Sequence, residues 1–316
     1  MASPLPQLPP LFIVFNASSG SADSEQASAR VHQLLTEAGQ PHEMIVVRGA
    51  DDLTRAAVRA VHAAREAHGC VVAAGGDGTL NTVAQVVWNA DQVMGMLPQG
   101  TFNYFGRTHG MPTGLDDSVA ALLQSQEQPV TVGMLGDQVF LVNASVGLYP
   151  KLLEEREAAK RRFGRHRIVA VLSGLGIILR GRIVLTLELS AEGQTRVIRT
   201  RTLFVGNNEL QLQELGLRQA VDVEQGRLAA ITLEPASTLR TLWLLVRGAL
   251  GRLDGAEGVD SFAFDELVVR MRKGARTVKV AMDGEVLRMP PPLVFRTAPR
   301  PLRLLVPTRQ GGEGAP

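Results

Sequence analysis

Cysteine is almost missing from this chain: Cys70 stands alone among 316 residues. No disulfide framework and no cysteine-based zinc site can form within it, which fits a reducing compartment. Aromatic residues make up only 4%, and no nucleic-acid-reading motif occurs, so no nucleic-acid partner is expected. No stretch holds 18 uninterrupted apolar residues. The longest uncharged apolar run, IVAVLSGLGIIL at 168–179, is too short to span a bilayer. The opening MASPLPQLPPLF lacks the basic segment of a signal peptide, so a cytoplasmic location is expected. Neither a Walker A pattern nor G-x-G-x-x-G is present. His62, His68 and His109 have no metal-ligand spacing and are expected at the surface.

What is present is a globular composition, with 45% hydrophobic and 20% charged residues, and a length that suits two domains. The net charge of +2 hides an asymmetry. Residues 1–150 carry 6 Lys+Arg and 13 Asp+Glu, whereas residues 151–316 carry 27 and 18. An acidic half and a basic half imply different partners, and the basic one suits an anionic surface as well as it suits plain solvation.

Periodicity also divides the chain. LFIVFN (11–16), HEMIVV (42–47) and CVVAAGG (70–76) read as strands, the first of them buried, and MGMLPQGT (94–101) reads as a strand running into a loop. Helical patterns lie between them, so the first part is α/β with a mostly parallel sheet. After about residue 130 the segments become short and β-rich, as in QVFLVNASVGL, RIVLTLELS, VIRTRTLFVGN and LRLLVP. They alternate as half-buried antiparallel strands do, and helical stretches interrupt them near 150–180 and 237–253. The reading is an α/β domain at 1–133, an all-β sandwich at 134–308, and a frayed tail at 309–316.

The chemistry-bearing signal is GGDGT, Gly75 to Thr79, at the end of a buried strand and the start of a helix. Glycines permit close backbone approach, and the helix N-terminus directs bare amides and partial positive charge at one point, a phosphate-binding arrangement. Asp77 suits either a metal ion bridging phosphates or a helix cap. FNASSGS after the first strand and LPQGTFN after the fourth bring small polar loops to the same sheet edge, where ligands of such folds bind.

Together, Asn16, Ser19-Gly20, Gly75 to Thr79 and PQGTFN (98–103) resemble the diacylglycerol kinase catalytic domain superfamily, which includes bacterial lipid kinases and sphingosine and ceramide kinases. FLVNASVGLYPKLLEEREAAKRRFGRHR (140–167), LFVGNNEL (203–210) and VAMDGEVL (280–287) extend the resemblance in order over about 11–307. The resemblance implies a nucleotide-binding α/β domain, a lipid-substrate β-sandwich and an active site in the cleft between them. It implies transfer of the ATP γ-phosphate to a lipid hydroxyl, with Mg²⁺. By motif, Gly75, Gly76, Asp77, Gly78 and Thr79 would hold the phosphates, with Asp77 on the metal. Asn16, Ser19, Gly20, Gly100, Thr101 and Asn103 would line the nucleotide pocket. Asp283 would be the general base and Glu285 would support the nucleotide or its metal. Read by itself, DGE is also an ordinary hairpin turn.

Three departures from that pattern stand out. Tyr104 occupies a position where many bacterial members carry Asp. Arg48 replaces a Thr and is expected inside the nucleotide pocket. DVEQG, Asp222 to Gly226, stands where others have an Asp-Asp-Gly metal loop, so no structural metal is expected there. KRRFGRHR (160–167) and LRTLWLLVRGALGRL (239–253) are basic and amphipathic. They suit peripheral attachment to an anionic membrane, or equally a core helix with an arginine-rich face. A homodimer stays open as the oligomeric state. Two competing readings remain: a soluble-substrate kinase like NAD kinase, which shares the GGDGT loop, and a catalytically degenerate nucleotide- or lipid-binding regulator.

Overall fold

The computed structural model describes residues 8–17, 22–49, 52–100, 102–154, 184–272 and 276–308. The chain forms two compact units, residues 1–131 with 300–316, and residues 132–299. The basic stretch at 160–167, the apolar run at 168–179 and the tail at 309–316 lie outside the described residues.

Unit 1 follows the expected alternation. β1 (Leu11–Asn16), β2 (His42–Val47), β3 (Cys70–Gly75) and β4 (Met94–Pro98) are separated by α1 (Ala22–Glu37), α2 (Leu53–Glu66) and α3 (Asp77–Asn89). α4 (Tyr104–Thr108), α5 (Leu115–Leu123) and β5 (Ser125–Val130) follow. The sheet order is β2-β1-β3-β4, then β18 (Leu302–Pro307), then β5. All pairs are parallel except β18 with β5. β3 and β4 are buried along their whole length, as continuous apolar strands covered on both faces are. α2 presents Leu53, Ala57, Ala60, Val61 and Ala64 to the core, a stripe at helical spacing whose alanines permit close packing.

Two features of this unit depart from the sequence reading. β18 was expected in the β-sandwich, because alternation identifies a strand but not the sheet it joins. It instead pairs with β4 through Leu304 and Met94 and with β5 from Leu302–Val130 to Pro307–Ser125. Residues 300–308 therefore belong to the first unit, and the boundary expected after 133 falls after 131. β5 itself, SQEQPV, was not expected as a strand. Its middle four residues are exposed, and Pro129 is tolerated because the strand ends the sheet.

Unit 2 is the expected antiparallel sandwich. One sheet runs in the order β10 (Gln194–Thr200), β9 (Leu185–Ala191), β14 (Glu266–Met271), β17 (Leu293–Thr297), β6 (Gly133–Leu135) and β7 (Gln138–Phe140). The other is β13 (Val259–Phe264), β12 (Leu228–Leu233), β11 (Thr202–Gly206), β8 (Asn143–Gly147), β15 (Val278–Met282) and β16 (Glu285–Met289). Leu187, Leu189, Val269 and Phe295 of the first sheet share a core with Val146, Val205, Ala230 and Val280 of the second. The segment VIRTRTLFVGN, read as continuous, breaks at Arg201, where the chain passes from β10 in one sheet to β11 in the other.

Three helices were only partly foreseen: α6 (Glu209–Glu214), α7 (Ala220–Glu224) and α8 (Thr238–Ala249). They cover the outer face of the second sheet. In β12 the alternation is visible at single-residue level. Leu228 and Ala230 enter the sandwich core, while Ala229 and Ile231 join Leu212, Ala220 and Leu244 under the helices.

Candidate functional site

The GGDGT loop is built from contacts that only these residues allow. β3 ends at Gly75, where a Cβ would lie 2.6 Å from Thr79 Oγ1. The missing side chain lets Thr79 fold back over the strand end. Asn16, at the end of β1, donates from Nδ2 to Thr79 Oγ1 at 2.7 Å. Thr79 is buried at 6% exposure, so its side chain fixes the loop and is not a free ligand group. Gly75 O accepts from Gln99 N at 2.8 Å, which ties this loop to the one after β4.

That second loop closes on itself. Asn103 has left-handed backbone geometry, φ 47 and ψ 39, and its Oδ1 accepts from Gly100 N at 2.8 Å. A Cβ on Gly100 would fall 2.7 Å from Asn103 Oδ1 and 3.1 Å from Gly76 Cα. Two bare backbones, at Gly76 and Gly100, thus face each other directly. Gly76 is the N-cap of α3 and supplies no side-chain cap, so the orphan amides of that helix end are left to another acceptor.

Asp77 sits between these loops. Its carboxyl group accepts the backbone N–H of Asn103 and of Phe105, yet burial outweighs both and pushes it above the usual carboxylate range. Oδ1 is buried and has no hydrogen-bond partner. Asp77 therefore does not cap its own helix, whose N-cap is Gly76; it holds the start of α4 instead. Among the described residues no group of three or more His, Cys, Asp or Glu could hold a metal ion by itself. One buried, unpartnered carboxylate oxygen beside bare amides nevertheless fits Mg²⁺, which takes most of its oxygens from phosphates and water. Ser19, Gly20 and Thr101 lie outside the described residues.

The structure brings Asn16, Gly75 to Thr79, Gly100 and Asn103 together in unit 1. Asp283 and Glu285 lie in unit 2. Asp283 and Gly284 form the two-residue turn between β15 and β16 with φ 45 and 90, so the hairpin reading of DGE holds for the backbone. The side chain does more. Asp283 is buried at 6% exposure. Its Oδ2 accepts from Leu141 N at 2.6 Å, and its Oδ1 accepts from Val142 N and Asn143 N at 2.9 Å each. Glu285 reaches solvent, yet the protein packed around it pushes its carboxyl above the usual range.

Here the sequence reading missed a residue. The three segments quoted from unit 2 become neighbours, since β8 lies between β11 and β15. Asn143, at their meeting point, donates from Nδ2 to Gln211 Oε1 at 3.1 Å, while its Oδ1 is buried and unpartnered. Asn207 Nδ2 donates to Leu141 O at 3.3 Å nearby. Asn143 stood inside VNAS, but only the fold shows its orphaned acceptor.

The departures resolve unevenly. Arg48 is exposed and pairs with Glu25 of α1 at 3.3 Å, so its side chain is turned to the surface and not into a pocket. Tyr104 stacks on Phe102 at 6.0 Å with Arg107 above its ring. Asp222 lies in α7, 3.7 Å from Arg227. His62 and His68 are exposed as expected, but His109 packs edge-on against Phe105 at 4.7 Å, and burial lowers its pKa to about 4. A cavity of about 660 Å³, lined by Leu8, His68, Cys70, Val93 and Arg303, lies at the amino ends of β3 and β4, away from the loops.

Comparison with known proteins bears on the family and the fold. Residues 10–135 match the family described as the diacylglycerol kinase catalytic domain. A probable lipid kinase YegS-like of Cronobacter sakazakii is 27% identical over 174 residues, 54% of each chain. A diacylglycerol kinase of Staphylococcus aureus is 28% identical over 137 residues, 43% of this chain and 42% of that one. The chain thus spans about half the length of the curated relatives it matches. Over nearly the whole chain the fold resembles a diacylglycerol kinase structure from Bacillus anthracis, with a TM-score of 0.72, 16% identity, and 95% of this chain and 97% of that one covered.

Proposed function

From the match of residues 10–135 to the diacylglycerol kinase catalytic domain family, we propose that this chain is an ATP-dependent lipid kinase that moves the γ-phosphate onto a lipid hydroxyl. The observation that carries the reading is the uncapped start of α3, faced by Gly100 and bordered by the unpartnered Oδ1 of Asp77. Phosphoryl transfer asks little covalent chemistry of a protein and much positioning and charge neutralisation. Bare amides from Gly76 to Thr79 supply the first, and a carboxylate that places a divalent cation supplies the second. Mg²⁺, when bound, offsets phosphate charge. Asn16 and Asn103 keep the two loops in shape, through Thr79 and Gly100 respectively.

In this reading Asp283 accepts the proton of the attacking hydroxyl, because an alcohol needs a base within hydrogen-bond reach. Glu285 supports the nucleotide or its metal. Asp283 has a second task, since its carboxylate also holds the amides of Leu141, Val142 and Asn143.

The test is transfer of label from γ-labelled ATP with Mg²⁺ to a panel of lipids in anionic mixed micelles, with NAD as a soluble acceptor. Labelled lipid, reduced about 100-fold or more by Asp77→Asn, is the expected result. Asp283→Asn is expected to remove transfer and also lower the melting temperature, because the amide sets an N–H₂ against a backbone N–H. Labelled NAD would place the protein with soluble-substrate kinases. ATP binding with transfer to no acceptor would make it a regulator.

A further inference from the structure

Helix α8 is half core and half unpartnered. Its inner side places Thr241 and Leu244 against the sheet, both 3% exposed. Its outer side carries Leu239, Trp243, Val246 and Leu250, exposed by 80%, 48%, 57% and 64%. These positions follow the i, i+4, i+7, i+11 spacing of one helical stripe, where a surface helix ordinarily places polar residues. A contiguous apolar patch of this kind marks an interaction surface.

The charges around the stripe identify the partner. From Ser237 to Leu253 there are three arginines and no acid. Arg240 pairs with Glu257 at 3.0 Å. Among the described residues no carboxylate lies within ion-pair distance of Arg247 or Arg252. Arg247 stacks over the Trp243 ring, 4.8 Å from guanidinium to ring centre, and its Nε donates to Arg252 O at 2.7 Å. An indole with a guanidinium on its face suits a boundary that is apolar below and anionic above. A second copy packed on the same stripe would bring the arginines of both helices together, which is unfavourable.

We propose that α8 is a membrane-docking helix, lying in the headgroup–acyl boundary of an anionic phospholipid bilayer with Leu239, Trp243, Val246 and Leu250 inserted. The proposal does not depend on the chemistry at Asp77, because docking needs no nucleotide.

The experiment is flotation of the full chain with phosphatidylcholine vesicles, with and without phosphatidylglycerol, in the absence of ATP. Trp243 emission is read in parallel and assigned with Trp243→Phe. Binding to the anionic vesicles with a blue-shifted Trp243 is expected. Leu239→Gln with Leu250→Gln should weaken it about tenfold or more, and Arg252→Gln about fivefold. Both leucines are exposed, so an unchanged melting curve is expected and shows that the variants fold. Failure to bind either vesicle, or anionic binding that the double leucine variant leaves intact, overturns the proposal. So does a dimer in sedimentation with Trp243 already blue-shifted without lipid, which would assign the stripe to a second copy.

Discussion

At the scale of single residues, two half-buried titratable groups carry opposite linkages. His109 is held neutral by burial, with a pKa near 4 against an ordinary 6.5. The unfolded chain binds the extra proton first, so its contribution is complete above about pH 6.5 and is lost as pH falls toward 4. The full loss is at most about 3 kcal/mol. Denaturant melts between pH 7 and pH 4 should show this slope, and His109→Gln should flatten it. Asp77 is raised by burial, so its ionisation costs stability as pH rises through its folded value. Asp77→Asn should therefore leave the melting temperature of the nucleotide-free protein unchanged or higher, even if it lowers the proposed transfer. Gly100→Ala should act in the other way. Its Cβ would displace Asn103 and Gly76, and it should reduce transfer without unfolding the sheet. GGDGT was legible as a tight loop between a buried strand and a helix start, because glycine, acid and helix start are local signals. The partners of Asp283 were not legible, since Leu141 to Asn143 lie about 140 positions away in the chain.

At the scale of elements, β1, β2 and β3 could be placed from the sequence to within a residue, because continuous apolar runs bounded by loops have few alternatives. β18 and β5 were harder. One has a clear strand pattern and an unexpected sheet, and the other an edge position that tolerates Gln, Glu and Pro. β18 makes a testable demand on unit 1. Leu304 is fully buried, so Leu304→Ala should cost about 3 kcal/mol. Hydrogen exchange should show the loss at the amides of β3 and β4, with those of β9 and β14 protected as before. α8 was legible as amphipathic, but the sequence left open which face was buried. The fold answers this by packing Leu244 inward and leaving Trp243 outside.

At the scale of the whole molecule, the charge asymmetry and the change of periodicity fall near the same point as the boundary between units, at residue 131. The resemblance read from motifs agrees with the family match in unit 1, and the sandwich that motifs implied for unit 2 is present. In the proposed function Asp77 is the point where Mg²⁺ and nucleotide phosphate meet the protein. Calorimetric titration of ATP into the full chain, with and without Mg²⁺ and for Asp77→Asn, tests this most directly. Binding that requires Mg²⁺ and falls by about 100-fold or more in the folded variant is the predicted result. Equal affinity without Mg²⁺, or an undiminished affinity in Asp77→Asn, would contradict it.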